Sequence, residues 1–242
     1  MSAQLKIEGL TKAFDGLVAL EAIDLAVEAG ELLGLIGPNG SGKTTLLNIV
    51  GGYYEASGGR VTFNGRRIDG KAPSSLARLG IGRSFQVTKV FKRLSVEQNL
   101  MVPGATDWSV SQARTRARAR AILADLNLDS LAADRASSLS GGQAKLLEFG
   151  RIMMLSPELV LLDEPFGGVH PELKAFMYER IRDWNAGGVT VVLVSHDMGS
   201  IFDLCRRVVT LSYGQIIADG TPEEVRKDPA VLDAYLGDHH AA

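Results

Sequence analysis

The sequence predicts an α/β fold: a largely parallel sheet buried on both faces, with a block of helices inserted into it. Three observations predict it. Strand-length apolar runs ("ELVLLDE", "GVTVVLVS", "RVVTLS") alternate with helical segments in the last third, and continuous apolar character marks strands covered on both sides. A glycine-rich loop, "GPNGSGKTT", stands between an apolar strand and a helix near the start. Between about Gln86 and Pro157 strand signals give way to helix after helix.

The elements follow in order. "LKIEGL" and "IDLAVEAGELLGLIG", bounded by glycines, read as strands, and "LLGLI" leads directly into the glycine-rich loop and the helix "TTLLNIV". "GRVTFNGRRI" is a strand ending in an Asn64-Gly65 turn. Ser95 with Gln98 forms a capping-box helix start, and "WSVSQARTRARARAILADLNL" is a longer helix after it. Small residues in "SSLSGGQ" open another helix, in which Gly150 should cost about 1 kcal/mol relative to Ala. Leu159 to Leu162 form a buried strand, followed by a helix from Pro171, a strand, a short helix from Met198 and the strand "RVVTLS". Thr221-Pro222-Glu223-Glu224 opens a late helix with an N-cap Thr, Pro in the first turn and Glu at the third position.

At 242 residues the chain suffices for one domain, or a core with a subdomain, around a large buried interior. A hydrophobic share of 45% with 22% charged residues is that of a globular protein, and a formal charge of −2 gives no bulk attraction to nucleic acid or anionic lipid. The single Cys205 cannot form an intrachain disulfide, which fits a reducing compartment. "MSAQLKIEGL" lacks the pattern of a signal peptide, and no apolar run approaches the ~20 residues of a membrane span. The expectation is a soluble chain whose membrane role, if any, comes through a partner.

Residues 37–44 match the P-loop pattern in full. Its glycines let the backbone curl so that N–H groups point at phosphate oxygens, Lys43 reaches the β- and γ-phosphates, and the Thr44 hydroxyl can ligate Mg²⁺. Asn39, Gly40, Ser41, Gly42 and Thr45 complete the cradle. "LVLLDE" then delivers Asp163 to hold Mg²⁺ and Glu164 to take a proton from an attacking water. Two adjacent acids with separate duties point to hydrolysis of a nucleoside triphosphate. No Asn-Lys-x-Asp guanine reader occurs, so ATP is preferred over GTP. Phe14 can lie on the adenine ring with Val18 flanking it; read alone, Phe14 fits a core aromatic as well.

With the P-loop, Gln86, "LSGGQ", "LVLLDE" and "VSHD" in this order, the chain resembles an ABC-type ATPase subunit from Leu5 to about Gly237. The resemblance implies a RecA-like P-loop NTPase core with an antiparallel β subdomain (residues 1–85 and 158–242) and an inserted α-helical subdomain (86–157) carrying the signature, all within one ABC ATPase domain. It further implies that two such chains pack head to tail, so that Ser140, Gly141, Gly142 and Gln143 address the nucleotide on the opposite chain's P-loop. Gln86 then corresponds to a residue sensing Mg²⁺ and the attacking water, and His196 to one that bonds the γ-phosphate and steadies Glu164. Taken alone, each of these has a structural reading: a helix-capping loop, a surface glutamine and a histidine after a strand.

Within that superfamily, "ARLGIGRSFQ", "VFKRLSVEQNL", "YGQIIADGTPEEV" and "VLDAYLG" look most like the ATP-binding subunits of branched-chain (hydrophobic) amino-acid importers. Such subunits work on the cytoplasmic face of the inner membrane, paired with a second ABC subunit (self or paralogue), two transmembrane permease subunits and, indirectly, an external solute-binding protein. The rival readings are an ABC importer or exporter subunit for a different solute, a soluble, non-transport ABC ATPase, against which stands the lack of a second ABC domain or long coiled-coil insertion, and a P-loop kinase or regulator, which lacks the signature. Departures from the family pattern are His170 where Asp or Asn is usual, Ser195 where Glu is frequent, and Ala144 after the signature. An imidazole at position 170 suggests pH-sensitive coupling between the two sites, the alternative being a residue that simply ends a loop before Pro171 begins the helix. Arg114, Arg116, Arg118 and Arg120, spaced by two, splay around a helix and read as its solvated face rather than as a nucleic-acid or lipid site. His239 and His240 lack the further ligands of a metal site.

Overall fold

A computed structural model describes residues 3–104 and 110–237. The chain opens with an antiparallel pair, β1 (Leu5–Phe14) and β2 (Leu17–Val27), and then enters β3 (Leu32–Ile36) and α1 (Lys43–Val50). β4 (Gly58–Phe63), β5 (Arg66–Arg67), α2 (Pro73–Arg78) and β6 (Ile81–Arg83) follow. Three helices come next, α3 (Val96–Gly104), α4 (Gln112–Asp125) and α5 (Gly141–Met153). The rest alternates: β7 (Leu159–Asp163), α6 (Pro171–Ala186), β8 (Thr190–Val194), α7 (Met198–Leu204), β9 (Arg207–Ser212), β10 (Gln215–Gly220), α8 (Pro222–Lys227) and α9 (Pro229–Gly237).

These strands make two sheets. β2-β1-β4-β5 is antiparallel, and the six-stranded sheet has the order β10-β9-β3-β8-β7-β6, parallel throughout except for the β9–β10 hairpin. In the parallel sheet successive residues feed opposite cores: Leu159 and Leu161 join one hydrophobic cluster with β1, β2, β4 and α1, while Val160 and Leu162 join the other with α3–α7. This double burial is why β3, β7 and β8 are apolar at nearly every position.

The stretch "IDLAVEAGELLGLIG", read above as strand with "LLGLI" at its end, is two strands in different sheets. A turn at Glu28–Glu31 with Gly30 at φ 72° separates them. Ile23, Leu25 and Val27 are buried with exposed residues between them, the pattern of a one-sided sheet, whereas Leu32–Ile36 is buried throughout.

The helix expected from Trp108 is described from Gln112, where the Ser111 hydroxyl accepts the Arg114 N–H; Trp108 lies outside the described residues, as do His239 and His240. Its arginines are more than a solvated face. Arg116 and Arg120, four apart, both reach Glu97 on α3, and Arg118 donates to the Met153 carbonyl and the Ser156 hydroxyl beyond α5. Gly150 also differs from expectation, because a Cβ there would meet Leu126 Cδ1 at 2.8 Å and Leu100 Cδ2 at 2.9 Å. The glycine lets three helices close, which offsets its low helix propensity.

Candidate functional site: the phosphate-loop cleft

The loop after β3 curls where only glycine fits. A Cβ at Gly37 (φ 145°) would lie 2.0 Å from the Leu211 carbonyl oxygen, and one at Gly42 (φ 107°) 2.7 Å from the Ala19 oxygen. Above it opens a cleft of about 230 Å³, lined by Ala19, Asn39–Thr45, Gln86, Asp163, Glu164 and Val194. Gln86 reaches this cleft from the chain after β6, and the two acids reach it from the end of β7. The Lys43 ammonium donates to the carbonyls of Gly37 and Pro38, both at 2.7 Å, and to the Ser41 hydroxyl at 3.2 Å.

Asp163 is buried at the cleft floor, 3.5 Å from the Thr44 hydroxyl, with its backbone N–H donated to the Ser84 hydroxyl. Burial pushes its carboxyl above the usual range; Arg83 at 3.6 Å, the Thr44 hydrogen bond and Lys43 pull it back, and Glu164 adds to the rise. Arg83 is itself buried; it donates to the Leu47 carbonyl and faces the rings of Tyr53 and Phe85. The pair Asp163–Thr44 presents oxygen donors, the chemistry of a hard cation. Among the described residues no cluster of three or more His, Cys, Asp and Glu forms a metal site. An ion here would therefore draw on one carboxylate, a hydroxyl, phosphate oxygens and water, which is how Mg²⁺ is commonly held beside a nucleotide.

Glu164 adopts φ 49°, a left-handed conformation that costs a non-glycine residue about 1 kcal/mol or more. Its N–H donates to Val194 at 3.0 Å and its carbonyl accepts from Gly167 at 3.3 Å, so the conformation is held from both sides. The side chain turns toward the end of β8: His196 Nδ1 lies 2.8 Å from Oε2, and the Ser195 hydroxyl donates to the same oxygen at 3.4 Å. Because a carboxylate only accepts, Nδ1 carries the proton and Nε2 points away into the open, where the ring is mostly exposed.

Three other groups of expected residues lie outside this cleft. Phe14 is no core aromatic: it is 37% exposed on the β1–β2 hairpin, edge-on to Tyr54 with Lys12 over its ring. Val18 is half exposed, and Ala19 is the residue of that hairpin that lines the cleft. None of Ser140–Gln143 lines it. The signature instead opens α5 at the surface, with a complete capping box in which the Ser140 hydroxyl accepts the Gln143 N–H and the Gln143 side chain accepts the Ser140 N–H. The N–H groups of Gly141 and Gly142, first in the helix, have no acceptor within it. His170 is exposed at the N-cap of α6 and makes no side-chain capping bond.

The family description "ABC transporter" matches residues 20–167, and "branched-chain amino acid ATP-binding cassette transporter" matches residues 215–241. The chain is 37% identical to a probable branched-chain amino acid transport ATP-binding protein, LivG, of Archaeoglobus fulgidus, across 96% of this chain and 95% of that one. This chain belongs to the ABC transporter family. The fold agrees. The ADP conformation of MJ1267, an ATP-binding cassette of an ABC transporter, superposes with a TM-score of 0.87 at 32% identity, covering 98% of this chain and all of that one. A dimeric post-hydrolysis state of the cassette MJ0796 bound to ADP and Pi matches at 0.82 and 25% identity, covering 90% and 98%. Like other cassettes of the ABC family, this one is an ATP hydrolase.

Several residues at the ABC site had no role legible in the sequence. Arg83 and Ser84 lie in the family-like stretch "ARLGIGRSFQ" and Tyr235 in "VLDAYLG", but neither stretch records what these side chains bind. Glu148 and Arg151 on α5 hold the segment after Gln86, the first accepting the Lys89 N–H at 3.2 Å and the second donating to the Lys89 carbonyl. Burial raises the Glu148 carboxyl and lowers Arg151. Only the helical spacing of three, after a signature already recognised, hinted that the two share a face.

Proposed function

We propose that this chain is the ATP-hydrolysing subunit of an importer for branched-chain or related hydrophobic amino acids. It works peripherally at the cytoplasmic face of the inner membrane with two transmembrane permease subunits, an external solute-binding protein acting indirectly. The observation that carries the ATPase reading is the convergence of Lys43, Thr44, Asp163 and Glu164 on one cleft, with His196 bound to Glu164. The solute assignment rests on the similarity to branched-chain transport proteins, and no described helix is long and apolar enough to cross a membrane, so permeation belongs to partners.

In this reading residues 39–45 wrap the phosphates, with Phe14 and Val18 against the base. Thr44, Asp163 and Gln86 would hold Mg²⁺, which would neutralise developing phosphate charge. Water attacks the γ-phosphorus as the bond to ADP breaks. Glu164 takes the proton from that water, its carboxylate aimed by the His196 Nδ1–H and the Ser195 hydroxyl. His196 Nε2 faces outward for the γ-phosphate. Residues 86–157 act as the helical subdomain on a core of 1–85 and 158–242. Because Ser140–Gln143 lie outside this chain's own cleft, their N–H groups and the Ser140 hydroxyl serve a second cassette's nucleotide, the family's head-to-tail arrangement.

The test is Glu164→Gln. It should keep ATP affinity within about threefold and lower kcat by about 10²–10⁴, the share of a positioned general base. Unchanged turnover would remove Glu164 from the chemistry.

A further inference from the structure

The segment matched by the branched-chain family, residues 215–241, contributes none of the nucleotide-site residues above. One of its side chains nevertheless returns to the phosphate loop. From α9 the Tyr235 hydroxyl oxygen accepts the Gly37 N–H at 2.8 Å, across 198 positions of sequence. Gly37 is the first residue past β3, so the sheet ladder offers its N–H no partner, and the residue is buried. Its carbonyl takes the Lys43 ammonium, and its Cα runs so close to Leu211 that no side chain fits. Three contacts, two of them from distant parts of the chain, thus meet at the residue where the loop begins. The Tyr235 ring packs on the larger hydrophobic cluster. Burial raises the phenol above its ordinary value, with the Gly37 bond lowering it and the nearby Glu164 carboxylate adding to the rise.

We propose that Tyr235 is a positioning residue: α9 is a strut that holds the entry to the phosphate loop, so that the family-specific C-terminal segment sets the affinity of the nucleotide site. The proposal rests on the ATP reading of the cleft. A cradle of backbone N–H groups binds phosphate well only while those groups converge, and apparent affinity falls with the fraction of molecules in which they do. Releasing Gly37 loosens the loop from its first peptide, whereas Glu164, held by Val194 and His196, keeps its place. The strut therefore acts on binding rather than on the chemical step.

Tyr235→Phe in the full chain removes the acceptor and keeps the ring. It should speed exchange of the Gly37 amide, read by NMR without nucleotide, by about tenfold or more. The ATP Kd and KM should rise by about five- to tenfold with kcat within about twofold. Tyr235→Ala should lower the thermal midpoint further without weakening ATP binding much further, and Leu236→Ala, on the exposed side of the same helix, should match the parent. Unchanged Gly37 exchange, or unchanged affinity in Tyr235→Phe with a loss only in Tyr235→Ala, overturns the proposal, the second by showing that the ring merely packs. If the parent chain itself fails to bind ATP, the ATP reading falls, and the Gly37 exchange comparison still decides the hydrogen-bonded strut.

Discussion

Asp197, the last residue of "VSHD", shows how one side chain ties the end of β8 to two helices. It caps α7 by accepting the Ser200 N–H and hydroxyl, and it pairs with Lys174 of α6. The Lys174 bond, with help from Ser200, holds its carboxyl down at about 2, and the same bond raises the Lys174 ammonium. A depressed acid contributes stability that is complete above its unfolded value, near 3.8, and is lost as pH falls through about 2. Lys174→Met should therefore destabilise the chain near neutral pH, and urea titrations should find the gap to the parent narrowing below about pH 4. A gap of constant size down to the folded value would mean that Lys174 acts by packing. At this scale legibility followed distance. Lys43, Thr44, Asp163 and Glu164 belong to local motifs whose spacing is their chemistry. Arg83, Ser84 and Tyr235 owe their roles to partners 80, 79 and 198 positions away, and nothing local in the chain records such pairs.

Among the elements, helix starts were the most readable, because capping is local: Ser95 with Gln98, Ser140 with Gln143 and Thr221 with Glu224 each close a reciprocal pair. The break between β2 and β3 was also written in the chain, as a change from alternating to continuous apolar residues, but the run of glycines and apolar residues across it masked the change. The arginines of α4 could not be sorted without α3 and α5, since their partners lie on other elements. α5 itself yields a paired prediction. Gly141→Ala meets open space and should stabilise the helix by up to about 1 kcal/mol. Gly150→Ala gains the same propensity but drives a methyl into Leu126, Leu100 and Ile122, and should destabilise by about 1–3 kcal/mol net. Denaturant midpoints of the two variants measure the difference. Equal midpoints would mean that α3, α4 and α5 yield around position 150.

At the scale of the whole molecule, the central feature is that the phosphate loop and the signature of one chain do not share a cleft. On the proposed reading a single cassette holds halves of two different sites, and the parallel sheet fixes only one of them. If the halves are completed by a second copy, two different dead chains should rescue each other. Lys43→Ala disables a chain's own phosphate loop but leaves its signature intact. Gly141→Asp leaves the phosphate loop intact and places a carboxylate where a partner's γ-phosphate would sit; position 141 is open, and an acid suits a helix N-terminus, so folding is preserved. In a mixed dimer both lesions fall on one site, and the other site is wholly native. Random mixing makes half the dimers mixed, so ATPase activity should return to about a quarter of the parent's when each site turns over independently. Each variant alone should stay at background. Activity that stays at background after mixing, with dimers demonstrated by light scattering, would place loop and signature in service of the same chain's nucleotide and remove the head-to-tail dimer as the working unit.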